Sequence, residues 1–268
     1  MKVHILASGS AGNATCIEMG GSRFLLDAGI SARRLKQGLS EVGVVPEAID
    51  GIFITHEHID HIKGLATFTK KYRTPVFARR DTFLAMGCRM DIPQECIRVL
   101  PERMVWQDIE VSSFSTLHDA ADPVGYTFTF GGEKLGLATD LGFVTERVKE
   151  ELAGSDVLIF EANHDLDMLK SGPYPPMLKR RIMSSRGHLA NDAAAWALAQ
   201  ILGEKQATVF LAHLSQENNE PRRAWDTVAA ILDSQGLRHG REVDLRLTMP
   251  AETVSIERET EAEQSLFG

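Results

Sequence analysis

The chain reads as an α/β domain whose chemistry sits on loops at strand ends. Three observations lead there. Short apolar or alternating runs recur along the chain, separated by stretches of helical period. Candidate metal-ligand side chains follow directly after several of these runs. The composition is that of an ordinary globular protein, with 268 residues, 43% of them hydrophobic and 25% charged. This length accommodates two small domains or one large α/β domain.

The first half is rich in strands, predicted near 2–7, 14–19, 23–27, 51–55 and 75–78. Asp27 and Gly29 end the third run, and Ser31 is placed to cap a helix over 31–42. Further helices are predicted near 62–72 and 80–87. The second half repeats the theme, with strands near 97–100, 108–114, 124–130, 134–139 and 156–160. Gly131-Gly132 between two alternating runs marks a hairpin. Residues 166–187 hold Pro173, Pro175 and Pro176 and little periodicity, and read as a long loop or a short insertion near the site. A helix over 189–202, an apolar run over 207–212 and a helix over 220–236 follow. The domain is expected to occupy 1–257, and the acidic stretch 258–268 to be a disordered, solvated tail.

No apolar run approaches the length of a membrane span, and Met1-Lys-Val-His-Ile-Leu6 enters a strand and not a signal peptide. The expectation is a cytoplasmic protein with no membrane partner. Cys16, Cys88 and Cys96 are odd in number and lack metal-type spacing, so no disulfide framework is implied. The net charge of −8 counts against generic binding of nucleic acid through a basic face. Local basic groups remain: Lys70-Lys-Tyr-Arg73, Arg79-Arg80, and Lys179-Arg-Arg181 with Arg186.

The strongest signal is Thr55-His-Glu-His-Ile-Asp-His61, just after the apolar Gly51-Ile-Phe-Ile54. His56, His58, Asp60 and His61 mix imidazole nitrogen with carboxylate oxygen, the donor set of a hydrolytic metal site. A buried core or a solvated loop has no use for such a run. His118, Asp140 and His213 each follow another strand pattern, so a shared sheet edge would bring them to the same place.

These residues, in this order, resemble the metallo-β-lactamase-fold hydrolases. Leu6-Ala-Ser-Gly-Ser-Ala-Gly-Asn-Ala14 and Leu26-Asp-Ala-Gly29 match that superfamily's first strands, and the likeness covers roughly residues 1–255. Four phrases resemble the YycJ (WalJ)-like nuclease branch: Ser8-Gly-Ser-Ala-Gly-Asn13, Glu161-Ala-Asn-His-Asp165, Ser185-Arg-Gly-His-Leu-Ala-Asn191 and His213-Leu-Ser-Gln-Glu-Asn-Asn219. The resemblance implies a single-domain αββα sandwich, a step that periodicity alone does not license. It implies two divalent metal ions, zinc or manganese with iron also compatible. One is expected on His56, His58 and His118, the other on Asp60, His61 and His213, with Asp140 bridging. A hydroxide between two cations about 3.5–4 Å apart would attack the phosphoryl group.

Other roles follow as expectations. Asp60 and His188 are the candidate catalytic residues, Asp60 being also a ligand. Asp27 is expected to hydrogen-bond the metal-bearing loop without touching metal. His188, at the start of the 189–202 helix, is expected to meet a substrate phosphate or the leaving group. Arg186 and Asn13 are further candidates for the substrate. Glu57 is read as structural or solvent-facing, His164 is open between the site rim and a structural place, and His4 and His239 are read as core or surface. The implied activity is phosphodiester hydrolysis on nucleic acid, with DNA as the partner and a 5′→3′ exonuclease as the reaction. The alternative is hydrolysis of a small ester (cyclic phosphodiester, lactone or thioester) on the same metals. A non-enzymatic metal-binding module would need a lost ligand position, and all seven are filled.

Overall fold

The computed structural model describes residues 1–87 and 90–258. Two seven-stranded sheets stack face to face with helices outside both, the αββα sandwich. The first sheet is built from β1 (Lys2–Ala7), β2 (Ala14–Met19), β3 (Ser22–Leu26), β4 (Gly51–Phe53), β5 (Val76–Ala78), β6 (Ile97–Val99) and β14 (Val254–Glu257), in the order β14-β1-β2-β3-β4-β5-β6. The second holds β7 (Arg103–Trp106), β8 (Ile109–Ser115), β9 (Val124–Phe130), β10 (Glu133–Ala138), β11 (Val157–Glu161), β12 (Ala207–Ala212) and β13 (Val243–Leu247), in the order β13-β12-β11-β10-β9-β8-β7.

Each sheet is half antiparallel and half parallel. The parallel halves are β3-β4-β5-β6 and β10-β11-β12-β13. Parallel strands are covered on both faces, so β11 and β12 are buried throughout and their sequences, VLIFE and ATVFLA, scarcely alternate. β8 is antiparallel and alternates at its start, Ile109 and Val111 inward with Glu110 exposed. Aromatic side chains from both sheets fill the middle. Phe53 stacks on Phe77 at 4.7 Å and meets Phe128 edge-on at 5.1 Å. Gly131 and Gly132 both have positive φ, and close the β9–β10 hairpin with Glu133 opposite Phe130.

The outer layers are α1 (Ala32–Glu41), α3 (Leu65–Tyr72) and α4 (Arg80–Met86) on the first sheet, and α5 (Glu146–Leu152), α8 (Asn191–Ile201) and α9 (Pro221–Ser234) on the second. Ser31 caps α1 by accepting from the Arg34 N–H, and Leu35, Gly38 and Leu39 make its buried face. No helix of the described residues is long and apolar enough to cross a membrane.

Four expectations need correction. The helix read over 62–72 is two, α2 (Ile59–Ile62) and α3, because the Gly64 N–H turns to Ala28 O at 2.8 Å instead of continuing a single ladder. The stretch 166–187 is not a structureless loop: it folds as α6 (Leu166–Ser171) and α7 (Pro176–Ile182). Asp165 caps α6, and Pro176 sits in the first turn of α7, where a missing N–H costs nothing. α7 buries none of its residues, so no apolar period announces it. The sequence reading also passed over α5, β7, β13 and β14. Of the tail, Arg258 is ordered through Asp156 and the Met1 carbonyl. Positions 259–268 and Cys88 lie outside the described residues, while Cys16 and Cys96 are buried free thiols.

Candidate metal centre

The ends of β3, β4, β8, β10, β11 and β12 meet at one edge of the sandwich, where an α/β sheet characteristically binds its ligand. Asp27 follows β3, the 55–61 run follows β4, His118 follows β8, Asp140 follows β10, Glu161 ends β11 and His213 follows β12. Asp27, Asp140 and His213 adopt left-handed backbone conformations, with φ of 60°, 60° and 57°. Asp and His tolerate this region better than branched residues, and each turn swings the side chain off its strand toward the edge.

The seven candidate ligands gather into overlapping clusters whose ligand atoms lie within 4.8 Å of one another. His56, His58 and His118 form one, and Asp60, His61 and His213 another. Asp140 clusters with His56 of the first group and His61 of the second, and so lies between them. A cavity of about 200 Å³ opens on this array. Among its lining residues are His58, Asp60, His118, Asp140, His188 and His213.

Outer partners orient four of the imidazoles. The His61 Nδ1–H donates to Asp27 Oδ2 at 2.7 Å, and His118 Nδ1–H to Gly187 O at 3.0 Å. His213 Nδ1–H donates to Glu161 Oε1 at 3.1 Å. The Thr55 hydroxyl donates to Asp27 and accepts from His56 Nδ1 at 3.0 Å. Carboxylates and carbonyls only accept, so Nδ1 carries the hydrogen and Nε2 keeps its lone pair for a cation. Asp27 also takes the Thr55 N–H at 2.8 Å. Gly29 lets the two loops close: a Cβ there would stand 1.6 Å from Asp60 O.

The donor set fits divalent metal. His56 Nε2 and Asp140 Oδ2 are buried without a hydrogen-bond partner among the described residues, and both belong to the clusters. Burial pushes the Asp140 carboxyl up, but His213, His61 and their neighbours hold it well below the usual range. Burial pushes His61 down, and Asp140 and Asp27 more than reverse it. His213 is likewise pushed down by burial yet raised to about 10 by Asp140, Asp60 and Glu161. Burial and the surrounding imidazoles keep His56 well below its ordinary value. Carboxylates that draw protons onto two imidazoles call for positive charge, which a cation supplies in the protons' place.

Glu161 is the residue sequence reasoning missed. It is fully buried. Its Oε1 accepts from His188 Nδ1 at 2.7 Å as well as from His213, and its Oε2 accepts from the Leu141 and Leu189 N–H groups. Burial pushes its carboxyl up, but His188 and His213 bring it to about 2. A charged residue closing an otherwise apolar strand was the available signal. Asn219 was legible only as part of a phrase. Its side-chain amide donates to Ala162 O, Asn163 O and Asn191, and the Asn163 amide donates to His213 O, tying three loops together.

Other candidates fall differently. His188 is not at a helix start with free N–H groups: α8 begins at Asn191, the Leu189 N–H is held by Glu161, and the Asn191 N–H by His164 O. His188 itself lines the cavity. Arg186 is exposed and does not line it, whereas Arg181 does. Asn13 is buried beside the cage, not in the cavity lining. Its amide contacts His61 Nε2 at 3.2 Å and Gly9 O at 3.2 Å. Glu57 accepts from the Ala121 N–H. His164 is buried, its backbone bridged to Ala190. His4 bonds Ser255 within the first sheet, and His239 accepts from the Leu245 N–H.

A two-sheet sandwich with a double His/Asp cage at one edge defines a metallo-β-lactamase-fold hydrolase. The chain belongs to the family described as "Beta-lactamase superfamily domain", which matches residues 22–213. It is 38% identical over 249 residues to "Exodeoxyribonuclease YycJ" of Bacillus anthracis, covering 92% of this chain and 94% of that protein. It is 36% identical over 254 residues to "Exodeoxyribonuclease WalJ" of Streptococcus pneumoniae, covering 93% and 94%. The crystal structure of the metallo-β-lactamase-fold protein YhfI from Bacillus subtilis superposes with a TM-score of 0.70 at 14% identity, over 95% of this chain and 99% of that one.

Proposed function

We propose that the chain is a metal-dependent phosphodiesterase acting on nucleic acid, and within that class a DNA exonuclease of 5′→3′ polarity. The observation that carries the reading is the pair of abutting His/Asp clusters with Asp140 between them and His188 beside them on Glu161. The two relatives named exodeoxyribonucleases, which span nearly the whole chain, support the substrate class. His56, His58 and His118 would hold one cation, Asp60, His61 and His213 the second, and Asp140 would serve both. Zinc and manganese suit these donors, and iron also fits.

Two divalent cations held there supply Lewis-acid polarisation of a phosphoryl oxygen and of a water molecule. The chain's own groups do the rest. Asp60 Oδ2 lies 3.4 Å from Nε2 of both His61 and His213 and sets the geometry of the second cluster. His188 is anchored through Nδ1 to Glu161, and its Nε2 has no partner among the described residues. Burial pushes His188 down, and Glu161 and Asp140 raise it above its ordinary value. Nε2 is thus placed to donate to a phosphate oxygen or to the leaving oxygen when the ring carries its second proton. No Ser or Cys nucleophile is required.

The test is metal-reconstituted protein incubated with 5′-labelled and 3′-labelled linear duplex and single-stranded DNA, beside bis-p-nitrophenyl phosphate. The expected result is early release of the 5′ label from linear duplex. Hydrolysis of small esters with DNA left intact would instead favour the cyclic phosphodiester, lactone or thioester reading.

A further inference from the structure

α7 and the turn before it form one wall of the cavity. α7 presents Leu178, Arg181 and Ile182 to it, spaced as one helical face, and Tyr174 stands just before the helix. The helix buries nothing, so this face is not spent on a core. It is nevertheless fixed to the metal cage at two points. Gly187 runs close beneath its last turn, where a Cβ would stand 2.0 Å from Ile182 O, and Gly187 O accepts from His118 Nδ1. Arg181 Nε donates to Asp119 Oδ2 at 2.5 Å. The other oxygen of that carboxylate, Oδ1, is buried without a hydrogen-bond partner and lies 3.3 Å from His118 Nε2.

A guanidinium has five N–H donors, and Asp119 uses only the one on Nε. Both terminal amino groups of Arg181 lack a partner among the described residues, in a side chain that lines the cavity. Arg180 and Arg186 do not line it. Arg181, whose side chain is 59% exposed, is therefore a planar cationic fork held beside the cage by Asp119, with its outer edge open. Such a fork suits phosphate oxygens. On the reading above, the metals that the two clusters would hold meet the scissile phosphoryl group. We propose that Arg181, positioned by Asp119, binds the phosphate one nucleotide away from the scissile one, making the site selective for a polynucleotide over an isolated diester. This rests on the nucleic-acid reading above.

The experiment uses duplex DNA carrying a single uncharged methylphosphonate linkage next to the first scissile position, under single-turnover conditions. For the wild type the neutral linkage should lower kcat/KM about tenfold, the scale of one hydrogen-bonded charge pair. Arg181→Ala should lose about tenfold on unmodified DNA and show no further loss on the methylphosphonate. Its loss on DNA should exceed its loss on bis-p-nitrophenyl phosphate, and the slope of log KM against log salt should fall by about one. Arg181→Lys should recover part of the affinity, and Asp119→Asn should weaken the methylphosphonate discrimination. Thermal melting and metal analysis establish that the variants are folded and loaded. If Arg181→Ala still discriminates the methylphosphonate as the wild type does, the assignment is overturned while the nucleic-acid reading stands. If the wild type hydrolyses the small diester but no DNA, the nucleic-acid reading falls, and this inference with it.

Discussion

Replacing Glu161 with Gln tests the centre through a residue that contacts no substrate. One oxygen of the carboxylate accepts from His188 and His213, the other from the Leu141 and Leu189 N–H groups. All four partners are donors. Whichever way the amide is turned, its NH₂ faces two of them. Turned toward the histidines, it drives His213 to carry its hydrogen on Nε2, the nitrogen needed for metal. Turned the other way, it strands two backbone N–H groups. Two charge-assisted bonds at about 1.5–3 kcal/mol each set a loss of roughly 3–6 kcal/mol, against roughly 5–15 kcal/mol for a whole domain. Metal affinity at the second cluster should fall about 10–100-fold, the usual cost of losing an outer partner. The carboxyl is held at about 2 in the folded chain, from an ordinary value of 4.5. Its contribution to stability is thus complete above 4.5 and is lost as pH falls toward 2, so the acid limb of the metal-free stability profile should flatten in the variant. Chelator-competition titration and urea unfolding across pH measure both effects. Unchanged metal affinity together with an unchanged acid limb would refute the reasoning.

Three further outcomes follow from the same geometry. Asp140→Ala removes the carboxylate between the clusters, so metal content and hydrolysis should both collapse; two full equivalents of metal by elemental analysis would contradict the bridging assignment. His188→Ala should keep both metals but lose about 10²-fold or more in phosphodiester hydrolysis, since His188 belongs to neither triad; near-normal kcat would remove it from the chemistry. Metal binding near neutral pH should release protons, because Asp140 and its neighbours hold His213 protonated up to about 10 and raise His61 as well. Calorimetry in buffers of different ionisation enthalpy reads the number, and a binding heat independent of buffer would count against it.

Many of the strands and the residue types of the site were legible in the chain itself, while their pairing into a sandwich came from the resemblance. Period-2 runs and continuous apolar runs marked β8, β9, β11 and β12, because burial on one face or both leaves a direct imprint on which residues are tolerated. His56, His58, Asp60 and His61 were conspicuous because four ligand-type side chains so close together have no structural use. Local pattern was silent where a segment's partners are remote. β14 is a strand because β1 offers it an edge, with Lys2 opposite Glu257. α7 carries no buried stripe because it faces a cavity. Glu161 looked like the end of a strand until the fold set two imidazoles and two backbone N–H groups around it. Of the basic residues in this polar stretch the sequence pointed to Arg186, but both arginines are exposed and it is Arg181, on α7, that lines the cavity. Local pattern carries the donor types and those strands whose burial leaves a period in the chain. Which donors share a proton, a carboxylate or a cavity is set by the fold, because those pairings depend on separations in space between residues far apart along the chain.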